Sequence, residues 1–169
     1  MPLRRVREVL CLGLPSEGEP ERKLKTSSSH DASENSAERQ SRHRAKPMTW
    51  TYSQTTGQLL RDGKLIESNG YSGHGHGKNN ASMQAVRDVG PIPQGHYRIG
   101  VPHNYEHVGP FAMTLTPAPE TETFGRFAFF LHGDSLAHPG QASDGCIVAP
   151  LAARYRVWRS KDRDLTVVA

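Results

Sequence analysis

All twelve Phe, Tyr and Trp residues of this 169-residue chain lie from Trp50 onward, and this segregation decides where a hydrophobic core can form. Residues 1 to 47 hold ten Lys/Arg and seven Asp/Glu, with polar runs such as Ser27-Ser28-Ser29 and Glu34-Asn35-Ser36. Such a segment has little apolar surface to offset the entropy of ordering, so it is expected to be a disordered extension. Residues 48 to 169 are then one domain, long enough for a single small core.

Charge divides the same way. The net charge is +4, but residues 48 to 169 carry eleven basic and ten acidic side chains. A nearly neutral domain with no stripe of interleaved basic and aromatic residues argues against nucleic acid as the partner. Arg4, Arg5 and Arg7 precede Val9-Leu10-Cys11-Leu12-Gly13-Leu14, which imitates a signal peptide. Its apolar stretch is too short, Glu8 precedes it and Pro15 ends it, so export by a route that reads no such signal, or retention in the cytoplasm, is expected. Leu10 before Cys11 also argues against lipidation of that cysteine. Two cysteines, Cys11 and Cys146, make no disulfide framework.

Within the domain the patterns are those of short strands. Trp50 to Ser53 reads as the first, and Gln58 to Arg61 with Lys64 to Glu67 flank an Asp62-Gly63 hairpin signal. Six glycines between residues 70 and 95, with Asn79-Asn80, suggest a long functional loop, and Pro91 to Gly95 a turn. His96 to Val101 alternates with Tyr97 and Ile99 on one face, and Ala112 to Thr116, Arg126 to Leu131 and Asp164 to Val168 supply further strands. One helix is predicted after Pro150, with Leu151, Tyr155 and Trp158 on its apolar face. The fold class is therefore mainly β, a sandwich or barrel with one short helix.

Chemistry concentrates where Phe127 to Leu131 delivers His132-Gly133 and where Ser143-Asp144-Gly145-Cys146 follows. A thiol becomes a good nucleophile when a base sits beside it, and His132 is the candidate base for Cys146. Gly145 permits a sharp turn that aims backbone amides at a developing oxyanion. Ser143 is expected either to hydrogen-bond the imidazole or to shape the turn, and Asp134 either to orient His132 or to form a turn. His74 and His76 offer a competing reading as metal ligands with His132 or His138, although neither a helical HExxH pattern nor paired cysteines accompany them. Tyr71 and Trp50 read as packing residues.

Taken together, His132-Gly133, Ser143-Asp144-Gly145-Cys146-Ile147 and Pro91-Ile92-Pro93-Gln94-Gly95-His96-Tyr97 resemble the L,D-transpeptidase superfamily of peptidoglycan enzymes. Met48 to Tyr52, Gly70-Tyr71-Ser72-Gly73 and Gly77-Lys78-Asn79-Asn80 are similar to its type VI secretion effectors, so the resemblance covers residues 48 to 169. It implies an L,D-transpeptidase-like fold with its helix after the catalytic cysteine. It also implies attack by Cys146 on a tetrapeptide stem with His132 as acid and base, and expulsion of D-alanine to water, a D-amino acid or a second stem. Gly145 and Cys146 amides would serve the oxyanion, with Ser143 and Gly133 supporting and no cofactor or metal required. Implied partners are peptidoglycan tetrapeptide stems, a cognate immunity protein and a secretion-system component, with action in the periplasm of target bacteria. A silent wall-binding module of the same fold and a metal-dependent amidase are the alternatives. Two positions depart from the superfamily pattern: Asp144 stands where a histidine is usual, and Val148 where an arginine is frequent. Arg154 and Arg156 are the candidate substitutes, if the helix brings them near.

Overall fold

A computed structural model describes residues 49–169; the readings of residues 1 to 47, including Cys11, lie outside the described residues. The first strand, β1 (Trp50–Ser53), buries Trp50 and Tyr52 on one side by simple alternation. It pairs antiparallel with β2 (Leu59–Arg61), and β2 with β3 (Lys64–Glu67). Asp62 at φ 52° and Gly63 at φ 77° form the two-residue left-handed turn expected of Asp-Gly, which matches the twist of the flanking strands.

Beyond the hairpin come β4 (Tyr71–Ser72), β5 (Gly95–Tyr105), β6 (Gly109–Pro117), β7 (Phe129–His132), β8 (Ile147–Val148), helix α1 (Leu151–Arg159) and β9 (Asp164–Val168). The strands make one mixed nine-stranded sheet in the order β3-β2-β1-β9-β5-β6-β7-β8-β4. Among the described residues this is the mainly β architecture with one short α-helix that the sequence predicts. β9 runs parallel to β1 and antiparallel to β5, and so joins the N-terminal hairpin to the remaining strands. β7 and β8 pair in parallel, with Leu131 opposite Ile147 and His132 opposite Val148. Pro102 falls where the β5–β6 register shifts, a place where its missing N–H is tolerated.

The core collects Trp50, Tyr52, Ile92, Tyr97, Met113, Leu131, Ile147, Val157 and Leu165. Tyr97 meets Phe129 edge to face at 5.9 Å between ring centroids, and its hydroxyl donates to the Pro93 carbonyl.

Three sequence expectations are corrected here. The buried face of α1 is Ala153, Arg154 and Val157, and Trp158 packs against the core as expected, whereas Leu151 is 46% and Tyr155 45% exposed. A nine-residue helix offers few turns for an apolar stripe, and small residues allow it to sit close against the sheet; Tyr155 instead packs on Phe111 outside, with centroids 4.2 Å apart. Residues 126 to 128 are not strand: Arg126 turns inward and Ala128 takes φ 61°, so β7 begins at Phe129. The long glycine-rich loop is organised, containing β4 and 3-10 turns at Gly75–Gly77 and Ala81–Met83. Among the described residues no helix is long and apolar enough to cross a membrane.

Leu165 is 2% exposed on β9, with paired strands on both sides. Leu165→Ala is expected to cost about 2–5 kcal/mol in urea denaturation with an unchanged slope, the range for opening a cavity in a packed core.

Candidate active site

The Ser143-to-Cys146 turn is built around one hydroxyl. Ser143 is 1% exposed, and its Oγ accepts from the Gly73 amide at 2.9 Å and the Gly145 amide at 3.1 Å while donating to the Cys146 carbonyl at 2.7 Å. Every hydrogen-bonding capacity of the hydroxyl is used. Ser143 therefore shapes the turn, which decides between its two expected roles. The same contact removes the Gly145 amide from the set of free oxyanion donors, a correction to the sequence reading. Gly145 has φ 123°, and a Cβ there would collide with the Arg126 guanidinium, so the glycine serves conformation and close approach.

Cys146 and His132 line one cavity of about 310 Å³, together with Gly145, Arg126, Phe130, Asp144 and a rim that includes Arg87, Asp88 and His107. Cys146 is a free cysteine of intermediate exposure, with its Sγ 3.8 Å from the Ala128 carbonyl oxygen. Burial pushes the thiol up to about 11; the Phe130 backbone and Arg126 oppose that rise, and Asp144 adds to it. The resting side chain is consequently a neutral thiol at pH 7.

His132 is buried at the end of β7. Its Nδ1 lies 2.7 Å from the Gly133 carbonyl, an acceptor only, so Nδ1 carries the proton and the neutral ring has its lone pair on Nε2. Burial lowers the pKa of His132 below the ordinary 6.5; the Gly133 carbonyl opposes this, and the positive charge of Arg154 reinforces it. The ring is thus neutral at pH 7 and able to accept a proton. Gly133 supports it in a second way, because Arg154 Nη2 lies where a side chain at 133 would begin.

Asp134 does not orient His132. Its carboxylate accepts from the Tyr71 hydroxyl at 2.5 Å and from the Ser135 and Gly140 amides, both at 2.8 Å. Burial alone would raise Asp134, but these bonds and nearby Lys78 bring it below its usual value. Tyr71 is pushed up to about 12, chiefly by burial and then by its bond to Asp134. Its oxygen also accepts the Ala142 amide, so Tyr71 anchors the loop leading into the cysteine turn.

Asp144 faces outward, with its Oδ1 3.3 Å from His74 Nδ1. Among the described residues no three His, Cys, Asp or Glu side chains group as a metal site. Neither candidate substitute arginine enters the cavity. Arg154 is buried behind Gly133, donating from Nε to the Ala149 carbonyl and from Nη1 to those of Pro110 and Phe111. Arg156 reaches the Ile66 carbonyl at 3.2 Å. The buried arginine that lines the cavity, beside the exposed Arg87, is Arg126, missed in the sequence; its signal was a lone cation inside the apolar stretch from Phe124 to Leu131.

In comparison with known proteins, residues 67–168, more than half of the chain, match the family model described as the Tlde1 domain. No curated protein matches the chain.

Two measurements follow from this geometry. Ser143→Ala strands two amides and one carbonyl and is expected to lose at least about 3 kcal/mol of stability in urea denaturation, given about 1–3 kcal/mol for each buried polar group left unpaired. Since His132 binds its proton less readily folded than unfolded, stability contributed by its neutral form is present above pH 6.5 and is lost as pH falls below that value toward the folded pKa. Thermal melts across that acid range should show a shallower decline in His132→Gln than in the wild type.

Proposed function

Since the chain belongs to the Tlde1 domain family, by name a family of type VI secretion effectors, we propose that it is a cysteine-dependent L,D-transpeptidase and L,D-carboxypeptidase acting on peptidoglycan tetrapeptide stems. The observation that carries this reading is the shared cavity, in which a free thiol and a neutral imidazole with its lone pair on Nε2 are the two groups an acyl transfer requires.

Cys146 Sγ attacks the carbonyl at the L-centre of diaminopimelate as its proton passes to His132 Nε2. Because the resting pair is neutral, deprotonation accompanies attack and no preformed thiolate is required. The tetrahedral intermediate collapses by breaking the bond to D-alanine, whose amine takes the proton back from the imidazolium, leaving a thioester on Cys146. Water, activated by the same Nε2, completes a carboxypeptidase cycle. A D-amino acid amine completes an exchange, and the amine of a second stem a crosslink. The enzyme acts in the periplasm of target bacteria after export by a secretion system, and the producing cell carries a cognate immunity protein.

One observation favours a second reading, that of a silent wall-binding module: the thiol is raised to about 11 and directed at a backbone carbonyl. Mass spectrometry of tetrapeptide muropeptides incubated with the full chain separates the two. Terminal D-alanine should be released by wild type, no release should be detectable with Cys146→Ala, and His132→Ala should be slower by about 10²–10⁴-fold. Binding to isolated wall without any change in muropeptide mass would establish the silent module instead.

A further inference from the structure

We propose that Arg126 is the electrostatic positioning residue of this site, a buried guanidinium that holds the Asp144-to-Cys146 turn and offsets the negative charge of Asp144 where Cys146 gives up its proton. The proposal rests on reading Cys146 as the nucleophile.

Arg126 is only 7% exposed. A cation so buried normally finds a carboxylate, because desolvation is otherwise too costly. Here Nη1 donates to the carbonyls of Gln84 at 2.6 Å and Pro91 at 2.7 Å, and Nη2 to those of Gly90 at 3.0 Å and Asp144 at 3.2 Å. None of the ion pairs among the described residues includes it. Four carbonyl dipoles satisfy the two Nη groups, and no carboxylate lies within ion-pair distance, although Asp88 acts on the charge from further away. The Phe129 ring lies 5.6 Å from the guanidinium carbon and covers it further.

That charge sits beside the reacting group. Arg126 and Cys146 line the same cavity wall, and Arg126 occupies the space that a Gly145 side chain would need. The other ionisable groups on the cavity are Arg87, Asp88, His107, His132 and Asp144. Arg87 and Asp88 pair with each other at 3.5 Å at the exposed rim, with Asp88 also acting on Arg126, and Asp144 lies against His74 while its charge still opposes ionisation of the thiol, somewhat more than Arg126 favours it. His132 is neutral for the reason given above, which leaves Arg126 as the cation fixed on the cavity wall beside the thiol. A fixed cation beside a thiol favours the thiolate, and its orientation before reaction means that no rearrangement is needed as negative charge develops.

A purely structural tether makes a different prediction, since it would alter stability and leave the thiol's chemistry unchanged. The discriminating measurement is the pH dependence of iodoacetamide alkylation at Cys146 in the full chain, read by peptide mass spectrometry so that Cys11 is counted separately. Wild-type rates should rise about tenfold per pH unit below the thiol pKa. Arg126→Gln should be about three- to tenfold slower at pH 8, and Arg126→Lys, which keeps the charge, within about twofold of wild type even where its melting temperature falls. A folded Arg126→Gln with the wild-type profile overturns the proposal. Should Arg126→Gln fail to fold, Arg126→Met, which fills similar space without the charge, takes its place: slowed alkylation supports the role and a wild-type profile overturns it. Alkylation needs no peptidoglycan, so an unshifted profile beside normal D-alanine release rejects Arg126 only. A shifted profile in a chain that releases no D-alanine rejects the peptidoglycan reading only.

Discussion

The arrangement of the site depends on how one buried cation is solvated. Arg126 draws together the carbonyls of Gln84, Gly90, Pro91 and Asp144, so the glycine-rich segment and the cysteine turn share one internal partner. Ser143 adds a second fastening between the same two segments through the Gly73 amide. Neither contact is hydrophobic, and both lie where an unpaired group would be costly, so the two segments are held together by the need to satisfy polar groups. The apolar core beneath supplies the platform, and the polar contacts fix the geometry on it.

This division explains what was legible in the sequence. Asp62-Gly63 announced its hairpin because two successive left-handed residues are a local requirement that few other pairs meet. Tyr97 and Ile99 were correctly placed on one face because alternation in a strand leaves no choice. The pairing of His132 with Cys146 was suggested by motif order, and the parallel register of β7 and β8 brings the two segments side by side. The helix face holds for Trp158 but not for Leu151 and Tyr155, because periodicity counts apolar residues, whereas Arg154 is buried through its bonds to carbonyls. Arg126 was passed over for the same reason: a cation within Phe124 to Leu131 looks like the exposed position of a strand until the backbone is seen to turn at Ala128.

The two departures from the superfamily pattern receive different explanations. Val148 is buried in β8 opposite His132 and lines a different cavity from the one that holds Cys146, where Arg126 lies instead. Asp144 directs its carboxylate toward His74, in a segment far upstream, while its carbonyl turns inward to Arg126. One residue therefore presents its side chain to one part of the glycine-rich segment and its backbone to the cation that grips another part.

The placement of β9 bears on how the molecule is assembled. Trp50 pairs with Leu165, and Gly95 with Val167, so the strand that bridges the two halves of the sheet is the furthest downstream of the nine. During synthesis the β1–β3 hairpin and the β5–β7 meander can each form locally, but they stay unjoined until β9 leaves the ribosome. Closing contacts so distant along the chain is slow. A nascent chain stopped short of Asp164 would hold both His132 and Cys146 and still have an open seam through the middle of its sheet.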